Sequence, residues 1–549
     1  ADQGRGDRVA VGGGGQGMSQ RAPSARQRLA RLALAITLAL VAASCAIPAP
    51  HEEARPPRAG SSVPSVGPEA TRFLAVAYEQ IQDKYVQPVS LASLAAAGLA
   101  NLNKLDEGFQ VARNGERLEA RAGGQIVATY DLPRTDDSRR LAQLSVAVID
   151  AGRGVSPALR SATHETLYQT VFDGIMPRLD TYSRYASQEV ARENRASRDG
   201  FGGIGVTINT EAGDVRVAAV VPESPAGRAG VAVDDRITSI EGEPTAGLST
   251  RDVVRRLRGP VGNVVRIMLA RASRPAPFEV AITRAHIVPP TVVYRAEDGV
   301  AVIRVSGFNQ RTTEHLNEAI RRAQREAGPA LQGVVLDLRG NLGGLLDQAI
   351  SVSEIFLPSG QIVSTRGRHR ASGQVSEARG NGPGRDLPLV VLVNGSSASA
   401  SEIVAAALQD HGRAVVIGTT SFGKGSVQTG IALPNEGELV LTWARFHAPS
   451  GYPLQDLGIS PTICTSGSTQ TAAQIVEAAR TGRMTSPAAM AVWRAADHSN
   501  PERMKELRQI CPPDSRESDL DLQVAREILA DRVLFARALS VSSQAAQAR

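Results

Sequence analysis

The chain has 549 residues, enough for several domains with their own cores. Its 61 basic and 55 acidic side chains give a formal charge of +6, but residues 1–45 hold six Arg and two Asp, so 55 basic against 53 acidic residues leave about +2 beyond them. That balance is no electrostatic footprint for nucleic acid. No His/Cys/Asp/Glu cluster has metal-ligand spacing, so neither a metal nor another cofactor is expected.

The chain order begins with a leader. Met18 precedes an Arg-rich stretch (Arg21, Arg26, Arg28, Arg31), the apolar run 32–43 and Ser44-Cys45. The run is too short to span a bilayer and reads as an export signal, with residues 1–17 upstream of it. Ala42-Ala43-Ser44-Cys45 resembles a bacterial lipoprotein cleavage box with Ala where Leu is usual, which implies lipidation at Cys45. Ordinary signal cleavage after Ser44 or Ala46 is the alternative. Residues 46–70, rich in Pro, Ser, Gly and charge, read as a flexible linker.

Residues 71–197 read as a mostly helical domain. Phe73, Ala77, Tyr78 and Ile81 recur at helical spacing. Between Phe109 and Leu132 the period shifts toward two, with turns at Asn114-Gly115 and Gly123-Gly124, which predicts a small antiparallel insert. Helix is expected again over 141–149 and 159–179.

Residues 198–285 carry an ordered series: Phe201-Gly-Gly-Ile204-Gly205-Val206, Ser224-Pro-Ala-Gly227, Asp234-Asp235-Arg236-Ile237, a helix around 251–257, and Gly259-Pro260-Val261-Gly262. The series resembles a PDZ domain. Such domains take a C-terminal peptide as an added strand, and the resemblance implies that Gly203, Ile204 and Gly205 form the loop that receives its carboxylate.

Residues 286–463 read as an α/β core. Buried strands are expected at 300–305, 333–338 and 389–393, with a helix over 313–326. The third strand leads into Ser397-Ala-Ser399-Ala-Ser401-Glu402 and a helix, so a serine stands where unpaired backbone N–H groups could hold an oxyanion. Lys424 follows between Gly423 and Gly425. It is one of four lysines (Lys84, Lys104, Lys424, Lys505) in a chain that otherwise uses arginine. Arginine cannot deprotonate in a protein, whereas a desolvated lysine can act as a base. Gly418–Gly425 imitates a phosphate-binding loop, but Gly425 replaces the hydroxyl residue and a strand follows. His411 and His447 are the histidines a Ser–His arrangement could use, and both read as surface or strand-end residues.

Ser397–Ile403, Gln409-Asp410, Gly412-Arg413-Ala414 and Phe422–Gln428 resemble the carboxy-terminal processing (tail-specific) serine proteases, as does Asp173–Tyr185. The resemblance spans roughly residues 70–463. It implies a multidomain α+β protein: a helical N-terminal region, a PDZ domain, an α/β (ClpP/crotonase-like) Ser–Lys protease core and a helical C-terminal region. It implies Ser399 as nucleophile, although Ser397 and Ser401 alternate with it, Lys424 as general base and Gln428 as the residue orienting the lysine. In Asp337-Leu338-Arg339-Gly340-Asn341-Leu342-Gly343-Gly344 it assigns one oxyanion donor to Gly343, with Leu342 where the family has Pro, and the second to the Ala400 N–H.

Residues 464–549 read as helical (472–480, 487–496, 520–539) and suit packing or self-association. Cys464 and Cys511 are candidates for one disulfide in an oxidising compartment. The expectation is a periplasmic, lipid-anchored endopeptidase of a Gram-negative bacterium acting on proteins with free apolar C-termini, with room for an adaptor lipoprotein. A catalytically silent, membrane-tethered PDZ scaffold is the competing reading.

Overall fold

The computed structural model describes residues 65–211 and 213–547, the side chains of 542–547 excepted. The leader, Cys45 and most of the linker lie outside the described residues. Helix begins at Gly67, within the stretch read as linker.

The N-terminal region packs helices Gly67–Lys84, Leu91–Ala100, Ser138–Val155 and His164–Ile175 around an antiparallel meander of Phe109–Asn114, Arg117–Ala122 and Gln125–Asp131. Side-chain caps set several helix starts: Asp137 accepts from the Arg139 and Arg140 N–H groups, and Thr163 from that of Thr166. The Thr163 cap divides the helix expected over 159–179. Phe73 stacks on Tyr168 with ring centroids 4.1 Å apart, and Phe172 on Tyr185 at 4.8 Å. Tyr185 belongs to the short strand Arg184–Ala186, which pairs antiparallel with Glu438–His447. The helical region is thereby fastened to the sheet that carries the strand after Lys424.

Six strands form the PDZ sheet, five in the order Phe278–Thr283, Val264–Ala270, Arg236–Ile240, Asp214–Val220, Val206–Glu211, with the short Glu243–Pro244 also paired to Arg236–Ile240. Val206–Glu211 is thus an edge strand. Helix Thr250–Leu257 buries Val253 and Leu257 against Ile204, Ile208 and Val265. Phe201–Gly203 pairs with Ala285–Ile287 where the domain joins the core.

The core sheet runs Val292–Glu297, Val300–Val305, Gly333–Asp337, Leu389–Val393, Val415–Gly418, Ile463–Cys464, antiparallel in its first pair and parallel thereafter. Strands buried on both faces read as unbroken apolar runs, hence Leu-Val-Val-Leu-Val at 389–393. Ile303, Leu336 and Val391 face helices Thr312–Ala327, Leu346–Glu354 and Ala400–Asp410. Val302, Val335, Val390 and Leu392 face the opposite way, onto helices Ala472–Arg480 and Asp519–Ala530. The C-terminal helices therefore complete the core.

Helix expected over 520–539 is two helices, Asp519–Ala530 and Arg532–Gln547. Asp531 divides them by accepting the Val533 and Leu534 N–H groups. Cys464 and Cys511 are joined by a disulfide, with Cα atoms 5.8 Å apart. Among the described residues, no helix is long and apolar enough to cross a membrane.

Candidate active site

The three alternating serines have different surroundings. Ser397 is fully buried; its Oγ donates to the Leu338 carbonyl at 2.9 Å and accepts the Asn394 N–H at 2.9 Å. Ser401 is also fully buried, its Oγ lying 2.9 Å from the Asn341 carbonyl oxygen and 2.8 Å from that of Ala398. Both hydroxyls hold the turn against the neighbouring strand end. Ser399 alone keeps some exposure, 9%, and it caps helix Ala400–Asp410 with φ 60° and ψ −115°. A non-glycine residue in that conformation is strained and is retained only where the surroundings force it. Ala400 opens the helix, so its N–H has no intrahelical acceptor and lies at the positive end of the dipole.

The strained turn is held by Glu402. Its fully buried carboxylate accepts the Ser399 N–H at 2.8 Å, the Gly423 N–H at 2.7 Å, the Lys424 N–H at 2.9 Å and the Ser421 hydroxyl at 2.5 Å. Burial pushes its carboxyl upward against the pull of these four donors. One side chain thus binds the serine turn to the lysine loop, two segments more than 20 residues apart in sequence. Glu402 was not singled out in the sequence, although Ser399-x-x-Glu402 before an apolar helix is a capping-box pattern.

Lys424 is half-buried and makes no salt bridge among the described residues. Its Nζ lies 5.1 Å from the centre of the Tyr182 ring. Burial first, then the charge of Arg184, lowers its pKa from the usual 10.5, against opposing pulls from Glu402 and Asp180. Asp180, Tyr182 and Arg184 come from the segment before the PDZ domain. Asp180 accepts the Tyr182 and Ser183 N–H groups and the Thr442 hydroxyl, fixing that segment on strand Glu438–His447. Gln428 donates its side-chain amide to Ser426 Oγ at 2.9 Å and Thr442 Oγ1 at 3.2 Å. The atom it has left to offer the lysine is its carbonyl oxygen. A cavity of about 280 Å³ opens here, lined by Asp180, Tyr182, Ser426, Thr442, Gln455 and Asp456 among others.

Gly343 reaches the same point from strand Gly333–Asp337. With φ +102°, a Cβ there would stand 2.8 Å from Ser399 Cβ and 3.0 Å from the Ala400 nitrogen, so only glycine fits. Its N–H, expected to face an oxyanion, instead donates to Asn341 Oδ1 at 2.8 Å. The cause is an Asx turn, in which a side-chain oxygen accepts the N–H two residues on. This half of the expected hole is occupied, and the Ala400 N–H is the donor at hand. Leu342, 72% exposed, and Phe422, 48% exposed, add apolar surface on the two loops.

Neither histidine joins the group. His411 sits at the far end of the 11-residue helix that Ser399 caps, about 18 Å away at about 1.5 Å per residue, with Nε2 against the Gln361 carbonyl. His447 pairs with Ser364 in the sheet. Strand Ser426–Ala432 follows Gly425, where a phosphate loop would need a helix. No metal-binding cluster occurs among the described residues.

Residues 299–465 match the model of peptidase family S41, and 216–271 that of the PDZ domain. The carboxy-terminal-processing protease of Bartonella bacilliformis is 42% identical over 301 residues, which is 54% of this chain and 69% of that protein. The chain belongs to family S41. It is therefore a serine peptidase carrying a PDZ domain. The carboxy-terminal processing protease CtpA of Bacillus subtilis is 32% identical, over 52% of this chain and 60% of its own length. A probable CtpA-like serine protease of Staphylococcus haemolyticus is 31% identical over 54% and 59%.

The S41 match contains Ser399, Lys424, Gln428, Gly343 and Ala400, whereas the PDZ match starts after Gly203, Ile204 and Gly205. In that loop the Ile204 carbonyl accepts the Ala226 N–H at 2.8 Å and the Gly205 carbonyl that of Val221 at 2.9 Å. A Cβ on Gly205, whose φ is +85°, would stand 2.3 Å from Ser224 Cβ.

Proposed function

We propose that this S41 peptidase is an exported endopeptidase that cuts with a Ser399–Lys424 dyad and engages protein C-termini through its PDZ domain. The observation that carries the reading is the Glu402 carboxylate, which takes the Ser399 and Lys424 amides on one oxygen. It anchors the backbone of a strained, partly exposed serine and that of the residue bearing a desolvated amine, which supports pairing the two side chains. Neutral Lys424 takes the proton from Ser399 Oγ as the oxygen attacks the substrate carbonyl. The Ala400 N–H receives the oxyanion, joined by the Gly343 N–H once that leaves Asn341. The tetrahedral species collapses, the Lys424 ammonium protonates the departing amine, and an acyl-serine remains. Water gives its proton to the same lysine and releases the acid. Gln428, through its carbonyl oxygen, holds the amine toward the serine.

The PDZ edge strand Val206–Glu211 and the loop Gly203–Gly205 would receive the substrate's last residues. The apolar leader, Cys45 and the disulfide between Cys464 and Cys511 support export to an oxidising compartment, with a lipid on Cys45 as the tether. Digestion of an unstructured protein with a free apolar C-terminus, by the wild type beside Ser399→Ala, tests this. Cleavage by the wild type alone is expected. Cleavage by both would remove Ser399, and binding without cleavage by either would favour a silent scaffold.

A further inference from the structure

A cavity of about 360 Å³ lies between PDZ helix Thr250–Leu257 and the preceding helix Gln188–Asp199, floored by Phe201, Gly202 and Gly259. Its charged lining is four arginines, Arg192, Arg251, Arg255 and Arg258, against two acids, Glu189 and Glu193. Three of the arginines have carboxylate partners. Arg251 lies 3.7 Å from Glu189 and 3.9 Å from Glu193, Arg255 pairs with Asp252 at 2.5 Å, and Arg192 lies 3.9 Å from Glu436.

Arg258 makes no ion pair among the described residues. Its guanidinium sits over the Phe201 ring, with Cζ 3.9 Å from the centroid, and its Nε is buried without a hydrogen-bond partner. Burial lowers its affinity for a proton, opposed only by the more distant charge of Glu193. Stacking of this kind fixes the planar fork while leaving its N–H edge free. A half-buried cation lacking a counter-ion, beside the turn that leads into the edge strand, is a vacancy for a carboxylate.

We propose that Arg258 binds a carboxylate of the substrate tail in this cavity, so that the PDZ domain selects tails by charge as well as by their apolar end. The proposal rests on the tail-docking reading above and deepens it. The carboxylate is either the terminal one or an acidic side chain next to it. Val254, Ala196 and Phe201 give the same cavity apolar wall for the terminal side chain.

The test is fluorescence-anisotropy binding of labelled ten-residue peptides to the full protein carrying Ser399→Ala, which keeps the peptides intact. Three peptides are used: one ending Asp-Ala with a free carboxylate, its C-terminal amide, and its Asp→Asn form. Adding Arg258→Gln should weaken the first peptide about tenfold or more, the scale of a lost charge-assisted hydrogen bond. If the terminal carboxylate is the partner, the amide should bind parent and Arg258→Gln alike. If the side chain is, the Asn peptide should. Arg258→Lys should recover only part of the lost binding, because it keeps the charge but not the planar fork stacked on Phe201.

Equal weakening of all three peptides, equal loss in the Lys and Gln variants, or unchanged binding in Arg258→Gln would overturn the proposal. Failure of every peptide to bind the parent would overturn tail docking with it. Arg258-dependent binding to a wild type that cuts nothing would overturn only the catalytic reading.

Discussion

Ser399 and Lys424 donate their backbone N–H groups to the same atom, Oε2 of Glu402, at 2.8 and 2.9 Å. The nucleophile's strained turn and the base's loop share one buried acceptor. Displacing that acceptor should misplace both partners together.

Glu402→Gln follows from this. An amide keeps one oxygen but turns an NH₂ toward N–H groups that need an acceptor. It should leave at least one buried donor unsatisfied, costing about 1–3 kcal/mol of stability. Loss of kcat should exceed what that destabilisation explains, on the order of 10²-fold, since small misplacement of reacting groups has that scale. Urea unfolding and peptide hydrolysis at a temperature where the variant is fully folded measure the two effects separately.

The three serines should part in the same pair of assays. Ser399→Ala should remove turnover with little change in stability. Ser397→Ala and Ser401→Ala each delete a buried hydroxyl that bonds backbone groups, and should cost about 1–3 kcal/mol while leaving the dyad in place. A stable, inactive Ser397→Ala or Ser401→Ala variant beside an active Ser399→Ala would reassign the nucleophile.

The pH profile carries a sign. Only neutral Lys424 can accept the Ser399 proton, so kcat/KM should rise with pH and level off above the lysine's pKa, which burial and Arg184 hold below 10.5. Arg184 lowers that pKa by its charge. Arg184→Gln should therefore move the rising limb to higher pH, and a shift to lower pH would contradict the arrangement.

The far end of the nucleophile's helix has its own lock. Asp410, in the helix's last turn, pairs with Arg494 at 2.5 Å, both side chains 2% exposed. Asp410 Oδ2 also accepts the Ser450 N–H and hydroxyl. Arg494→Met should destabilise the protein by about 3–5 kcal/mol by stranding a buried carboxylate. The double variant with Asp410→Leu should lose less, and urea unfolding of the set measures the coupling.

Strand Leu389–Val393 was legible residue for residue, because a strand buried on both faces must be apolar throughout. The hairpin turns at Gly115 and Gly123 were legible from turn chemistry and period, and the PDZ domain from the ordered series of motifs that resembles one. Single capping residues were not: Thr163 and Asp531 each start a new helix within a run that periodicity alone would read as one. Helix Pro501–Arg508 was missed despite the Asn500 cap and Pro501 at its start. Which serine is spoken for, and where the Gly343 N–H points, depend on contacts between segments far apart in sequence. The same holds for the C-terminal helices, whose apolar faces fit the sheet or a second copy equally well until the exposed half of the sheet is seen.

The dyad is tested most directly by kcat/KM of Lys424→Arg beside the wild type on one peptide substrate. The substitution keeps the positive charge but supplies a group that does not deprotonate. Loss of about a thousandfold or more in a folded variant is the expected result, within the range general-base catalysis contributes. Activity within tenfold of the wild type would show that Ser399 does not rely on Lys424 as its base.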